Sequence, residues 1–221
     1  HQLWQQALGR IVECFWPRVQ EFQIGQGSNR AKWSFFSMGE YMAMAEQASV
    51  LRQQYPGIKL IGPGVLDFEL IPTVRGLMHQ FDVKWDVVAS ALYVDRRGSP
   101  RNKQMGHFDL RAKIQAVAAV MSCASKSKRR LWITESNWPI QGQGEYSPTS
   151  EKECVSEEDY DAFMQMYLID AWQTQLVERV YWWQLVAKGY GLIDVADDGT
   201  LKHRPAYRSF KQMLQGSMSD F

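Results

Sequence analysis

The stretch Arg130-Leu-Trp-Ile-Thr-Glu-Ser-Asn-Trp-Pro139 decides how the chain is read. Leu131, Trp132, Ile133 and Thr134 form a short, partly β-branched apolar run, the pattern of a buried strand. The run stops on a carboxylate, Glu135, where a loop begins, with Trp138 close behind. A buried strand gains no stability by ending on an acid, because taking the charge out of water is costly. In parallel α/β sheets and barrels, chemistry sits just outside the carboxyl ends of the strands. An acid flanked by tryptophans also suits a sugar: the charge meets an oxocarbenium-like centre and the flat rings stack on pyranose faces. The competing reading is a loop glutamate paired with Arg129 or Arg130.

The alternation of strand and helix extends outward from this stretch. Residues 3–17 predict a helix through Leu3, Trp4, Ala7, Leu8, Ile11 and Val12, and residues 21–26 a short strand running into a Gly-rich turn. An amphipathic helix over 39–55 is stopped by Pro56-Gly57, and residues 59–65 form the next strand. Residues 69–81 read as helix and 86–94 as a longer buried strand, followed by the charged loop 95–103. Residues 108–124 predict another helix, Ser156 caps one over 157–174, residues 179–186 are the last strand, and 204–214 a closing helix. Such alternation implies parallel strands joined by helical crossovers. A closed (β/α)8 barrel needs eight strands and about 250 residues. The expected fold is α/β, a partial (β/α)8 TIM barrel with strands 4 to 8 present. The first three units would lie upstream, removed or never present, and an open five-stranded sheet is the alternative. Residues 1–221 read as a single domain. Its first and last strands would be exposed edges, which predicts self-association.

Composition narrows the function. The 221 residues leave room for one sizeable core, and 25 basic side chains nearly cancel 24 acidic ones. Nothing in that balance points to nucleic acid or an anionic membrane, and no apolar run has membrane-spanning length. Cys14, Cys123 and Cys154 are odd in number and lack metal-ligand spacing. They read as reduced structural thiols of a cytoplasmic protein, with no metal and no cofactor expected. His1-Gln-Leu-Trp4 reads as the middle of a helix, so an upstream targeting segment stays open. Nine tryptophans are many for this length; most read as core, and a surplus beside strand-end polar groups favours a carbohydrate ligand.

Taken together, these segments resemble the clan of retaining (β/α)8 glycoside hydrolases that includes the family 39, family 5 and β-galactosidase-like enzymes. The resemblance covers that clan's fourth to eighth strands. Its fourth strand ends in an Asn-Glu pair whose Glu is the general acid/base; the matching stretch here is Ile24-Gly-Gln-Gly-Ser-Asn29, followed by Arg30 and Trp33. Gly39–Glu46 and Lys59–Pro63 match its next helix and strand. Tyr93 matches the sixth-strand tyrosine that hydrogen-bonds the nucleophile, Glu135 the seventh-strand nucleophile, and Trp182-Trp183 the eighth-strand tryptophan beneath the sugar. The resemblance therefore implies Glu135 and Tyr93 as catalytic residues. It implies Gln26, Asn29, Trp33, Trp138, Trp182 and Trp183 as residues that contact a saccharide.

The departures are as informative. Gly27 stands at the acid/base position, Gln26 at its Asn neighbour, and Ala91 where the clan has a histidine two residues before the tyrosine. A retaining mechanism uses two carboxyl groups roughly 5–5.5 Å apart. General acid assistance contributes about 10²–10⁴-fold, so its loss leaves little hydrolysis of unactivated glycosides. Asp95, at a strand end, is the foremost substitute acid; Asp67, Glu69, Glu145, Glu151 and Glu153 read as solvated loop charges. Arg30, Arg96, Arg97 and Arg101 fall in loops after strands and would suit an acidic or phosphorylated saccharide, with rim salt bridges as the plainer reading. The expected function is a glycoside-hydrolase-like protein that binds or acts on a saccharide. The alternative is a noncatalytic carbohydrate-binding or partner-docking module on a degenerate glycosidase fold.

Overall fold

The computed structural model describes residues 2–147 and 149–216. In chain order the elements are α1 (Gln2–Phe15), β1 (Glu21–Gln23), α2 (Met38–Ser49), α3 (Leu51–Gln54), β2 (Lys59–Leu66), α4 (Leu70–Leu77) and β3 (Val87–Ala91). They continue with α5 (Leu110–Cys123), β4 (Leu131–Ser136), α6 (Glu157–Gln173), β5 (Val177–Trp182), β6 (Ile193–Val195), β7 (Leu201–His203) and α7 (Pro205–Gln215). Helix starts follow their caps. Ser37 and Glu40 form a reciprocal capping box at α2, and Ser156 accepts from the Asp159 N–H at α6.

The strands β1 to β5 form one parallel sheet in sequential order, as the right-handed crossover rule requires. β1 pairs with β2 from Glu21↔Lys59 to Gln23↔Ile61, and β3 with β4 from Val88↔Leu131 to Ser90↔Ile133. β2 and β3 run together from Ile61↔Val87 to Leu66↔Ala91, with a register shift between Pro63 and Val65. Every residue of β3 is buried, and so is β2 from Leu60 to Val65. This is why both read as near-continuous apolar runs rather than alternating ones.

The chain divides into two compact units: residues up to Ala91 together with Ala116–Thr134, and Leu92–Gln115 together with residues from Glu135 on. In the first unit, Ile61, Val87, Ala89 and Trp132 make a core cluster. Trp85 is fully buried, stacks on Tyr41 and donates its indole N–H to the Gly76 carbonyl at 3.0 Å. A Cβ at position 62 would come within 2.4 Å of the Trp85 ring, so the ring occupies space that only glycine leaves free.

In the second unit, β6 and β7 form an antiparallel hairpin that the strand–helix alternation does not predict. Its turn carries Asp198-Gly199, with Gly199 at φ +81°, which is the sequence signal for such a hairpin. The closing strand is also displaced from 179–186 to Val177–Trp182, and the long strand expected over 86–94 leaves the ladder after Ala91. Cys14 and Cys123 are exposed and Cys154 is buried, and all three are free thiols.

A buried carboxylate organises the amino ends of β2 and β3. Asp86 accepts from Arg52 at 2.7 Å and from the Leu60 N–H at 3.0 Å, and pairs with Lys128 at 2.7 Å. Burial pushes its carboxyl up, but the hydrogen bonds from Lys128, Leu60 and Arg52 together outweigh that and hold it below the usual carboxylate range. A carboxyl lowered in the folded state stabilises fully above its unfolded value of about 3.9, and that contribution is lost as pH falls through the folded value. Asp86→Asn is therefore expected to cost about 1–3 kcal/mol at neutral pH, with the deficit shrinking below about pH 4. Urea unfolding of both proteins at pH 7 and pH 3 checks this; an equal deficit at both would show that the charge is not the stabilising element.

Candidate functional site

Glu135 is set by β4. Successive residues of a strand face opposite sides, so the buried Ile133 and the half-buried Glu135 share a face while Trp132 and Thr134 share the other. Arg130 lies near Glu21 at 3.7 Å and over the Trp132 ring at 5.7 Å. Glu135 accepts a hydrogen bond from the Tyr93 hydroxyl. Tyr93 sits just beyond β3, so the pair spans the carboxyl ends of two neighbouring strands.

The position of Tyr93 has a physical cause. The ladder of β3 ends at Ala91, yet Leu92, Tyr93 and Val94 remain buried, and their carbonyls need new partners. The Tyr167 hydroxyl of α6 donates to the Leu92 carbonyl at 2.5 Å. Lys113 of α5, only 1% exposed, donates its Nζ to the Tyr93 carbonyl at 3.3 Å. Two long side chains thus replace a ladder. Arg97 then folds back so that its guanidinium lies 4.3 Å from the Tyr93 ring centre and donates to Asn137 Oδ1 at 2.7 Å. Asp95 opens the short 3-10 turn Asp95–Arg97, half-buried and without an ion pair among the described residues. The Arg96 side chain lies outside what the structure describes.

The tryptophans divide between core and surface. Trp138 is 0% exposed: it stacks on Trp182 at 5.7 Å, meets Tyr167 and Phe163 edgewise or tilted, and donates to the Gly98 carbonyl at 3.0 Å. Trp182 bonds the Tyr160 hydroxyl at 2.9 Å and belongs to the same aromatic cluster. Trp138, which the resemblance implies as a sugar contact, is core instead, since a ring enclosed by other rings has no face to offer. Trp182 is likewise committed to packing. Trp183, the next residue and just past the end of β5, is 42% exposed.

The other residues singled out in the sequence form a network in the first unit. The Asn29 amide takes the place of a strand partner: its Oδ1 accepts from the Leu66 N–H and its Nδ2 donates to the Leu66 carbonyl, both at 2.9 Å. Its Nδ2 also reaches Glu69 at 3.0 Å. Arg30 is held by Asp67 at 2.6 Å and Glu69 at 2.8 Å, which makes it a rim ion pair rather than a free anion site. Gln26 is bonded by the Gln23 side-chain amide. Trp33 is 54% exposed, with Lys32 4.8 Å above its ring.

Gly27 is buried, adopts φ +62° and donates its N–H to the Gly64 carbonyl at 2.8 Å. A Cβ there would lie 3.3 Å from that of Trp33. Sequence reasoning named Tyr93, Arg97 and Glu135 but missed Lys113, whose place inside an Ala/Val/Ile helix is the signal: a lysine on the buried face of a helix must have an acceptor to reach. Among the described residues no cluster of His, Cys, Asp and Glu is arranged to hold a metal ion, and no helix is long and apolar enough to cross a membrane.

No protein-family model matches the sequence, and no curated protein matches it. Solved structures do share its fold. The GH39 enzyme from Xanthomonas axonopodis pv. citri aligns over 97% of this chain and 44% of its own at TM-score 0.63 and 15% identity. A GH39 β-xylosidase from Caulobacter crescentus aligns over 97% of this chain and 46% of its own at TM-score 0.61 and 12% identity. A β-glucosidase from Thermotoga maritima, in complex with deoxynojirimycin, aligns over 96% of this chain and 67% of its own at TM-score 0.62 and 12% identity. The fold is therefore that of part of a glycoside-hydrolase (β/α)8 barrel, and the chain spans less than half the length of the two GH39 structures.

The division of the tryptophans is open to measurement. Trp138→Ala is expected to destabilise by about 3–5 kcal/mol, as for large aromatics emptied from a core. Trp183→Ala is expected to stay within about 0.5 kcal/mol of the parent, as for exposed positions. Denaturant unfolding of the two variants checks this, and a reversed order would overturn the division.

Proposed function

We propose that the chain is a glycoside-hydrolase-like protein that binds a saccharide with its anomeric carbon facing Glu135. The observation that carries this reading is the hydrogen bond from Tyr93 to Glu135 at the carboxyl ends of β3 and β4. In this reading a Glu135 oxygen attacks the anomeric carbon. The glycosidic bond breaks with its electron pair leaving on the departing oxygen, and a covalent glycosyl-enzyme forms. Tyr93 holds the carboxylate in line for attack, and water later releases the sugar. Sharing a fold with a β-xylosidase and a β-glucosidase supports a saccharide as the ligand.

Position 27 argues for impaired hydrolysis. With no acid there, the departing oxygen must leave as an anion, which only good leaving groups do readily. Asp95 is the candidate substitute. The left-handed backbone at Gly27 favours the second reading, a noncatalytic sugar-binding domain, because the loop has closed in a form that suits glycine.

Mass spectrometry after exposure to a panel of activated fluoro-sugars separates these readings. A covalent adduct on Glu135, absent from Glu135→Gln, is expected. Sugar binding with no adduct across the panel would favour the noncatalytic reading. Gly27→Glu is expected to give no gain in turnover, since the new side chain must adopt φ near +62° against Trp33.

A further inference from the structure

Arg97 is 8% exposed, and its side chain ends in a guanidinium cation. A buried guanidinium is normally matched by a carboxylate, because leaving the charge unpaired out of water is costly. Among the described residues Arg97 makes no ion pair. Its Nη1 is used by Asn137 Oδ1 and the face of its guanidinium by the Tyr93 ring, while Nε and Nη2 donate to no described group. The Cys154 thiol, which feels the Arg97 charge, is pushed up to about 11 chiefly by burial and so supplies no negative charge at neutral pH.

Two further observations point the same way. Asn137 is 1% exposed, and its Nδ2 has no partner among the described residues, so a second buried donor is coupled to the first. Arg97 also adopts φ +48°, a region that a non-glycine residue occupies at a cost and that recurs at ligand-holding positions. Beside the Tyr93–Glu135 pair, then, Arg97 keeps a guanidinium edge, and Asn137 a buried amide N–H, from which no described group accepts.

We propose that Arg97, with Asn137, forms a subsite for the carboxylate of a uronic acid residue seated next to Glu135. This inference rests on the saccharide reading of Glu135. The free Nε–Nη2 edge is a planar fork that matches a planar carboxylate in bidentate fashion, and one guanidinium balances one unit of negative charge. A neutral sugar would leave the charge unpaired, so the site discriminates by what it leaves unsatisfied as well as by what it binds.

Isothermal titration calorimetry on the whole chain tests this with D-glucuronate and D-galacturonate, their methyl esters, glucose, galactose and glucose 6-phosphate. The free uronates are expected to bind at least about tenfold more tightly than the corresponding esters and neutral sugars. In Arg97→Met that preference is expected to vanish. The acid-versus-ester comparison needs only the wild-type protein, so misfolding of the variant leaves the inference open to refutation. Equal affinity for acid and ester, a preference that survives Arg97→Met, or tighter binding of the phosphate than of the uronates overturns it. Neutral sugars bound without acid preference would sink this inference alone, whereas no binding of any sugar would sink the saccharide reading and this one with it.

Discussion

A strand that leaves its sheet inside a protein must find new partners for its backbone, and residues 92 and 93 meet that requirement with side chains. The Leu92 and Tyr93 carbonyls are taken up by Tyr167 and Lys113, so α6 and α5 each send one long side chain inward to finish what β3 begins. The direction of Tyr93 follows from this, and with it the bond to Glu135 and the shelf on which Arg97 lies. Glu135 is therefore held by a chain of dependencies reaching back to two helices. A helix substitution that touches no ligand still acts on Glu135 through the carbonyl it leaves orphaned.

The aromatic cluster behind this site serves a different end. Trp138, Trp182, Tyr160, Tyr167 and Phe163 pack edge and face around one another, and both indole N–H groups find acceptors within the cluster or its margin. This packing locks the segment after β4 against α6 and the end of β5. The polar network of the first unit is equally self-contained. Asn29, Arg30, Asp67 and Glu69 satisfy one another and the end of β2.

The legible part of the fold was the part governed by local periodicity. Apolar runs bounded by Gly and Pro placed β2, β3 and β4, and 3.6-residue spacing with a Ser cap placed α6. The pairing of Tyr93 with Glu135 was legible only through resemblance, because the two residues lie far apart in the sequence and nothing local binds them. What stayed hidden was mostly a matter of facing. Trp182 and Trp183 are adjacent, and without the strand's exact start either one can be the inward residue. Trp138 follows a site acid as a ligand-stacking ring would, and only the helix laid over it shows that it is core. Arg30 carries two carboxylates that come from beyond the next strand, a contact no spacing rule anticipates. The β6–β7 hairpin was missed because Asp198-Gly199 lies outside the strand–helix rhythm, although the dipeptide announces a turn.

The closure of the loop at Gly27 also bears on the history open to this sequence. The backbone there is left-handed, its N–H is spent on Gly64, and Trp33 stands where a side chain would begin. A single codon change to an acid keeps that N–H bond but meets the other two obstacles at once, the positive φ and the close contact with Trp33. Any route out of glycine has to move Trp33 slightly and hold or unwind a left-handed turn before a larger residue brings an advantage. Substitutions that are neutral while glycine is present, at Trp33 above all, thus set which later substitutions are tolerated. The position behaves as a ratchet: easy to enter by a lineage relaxing its demand for a side chain, and hard to leave one mutation at a time.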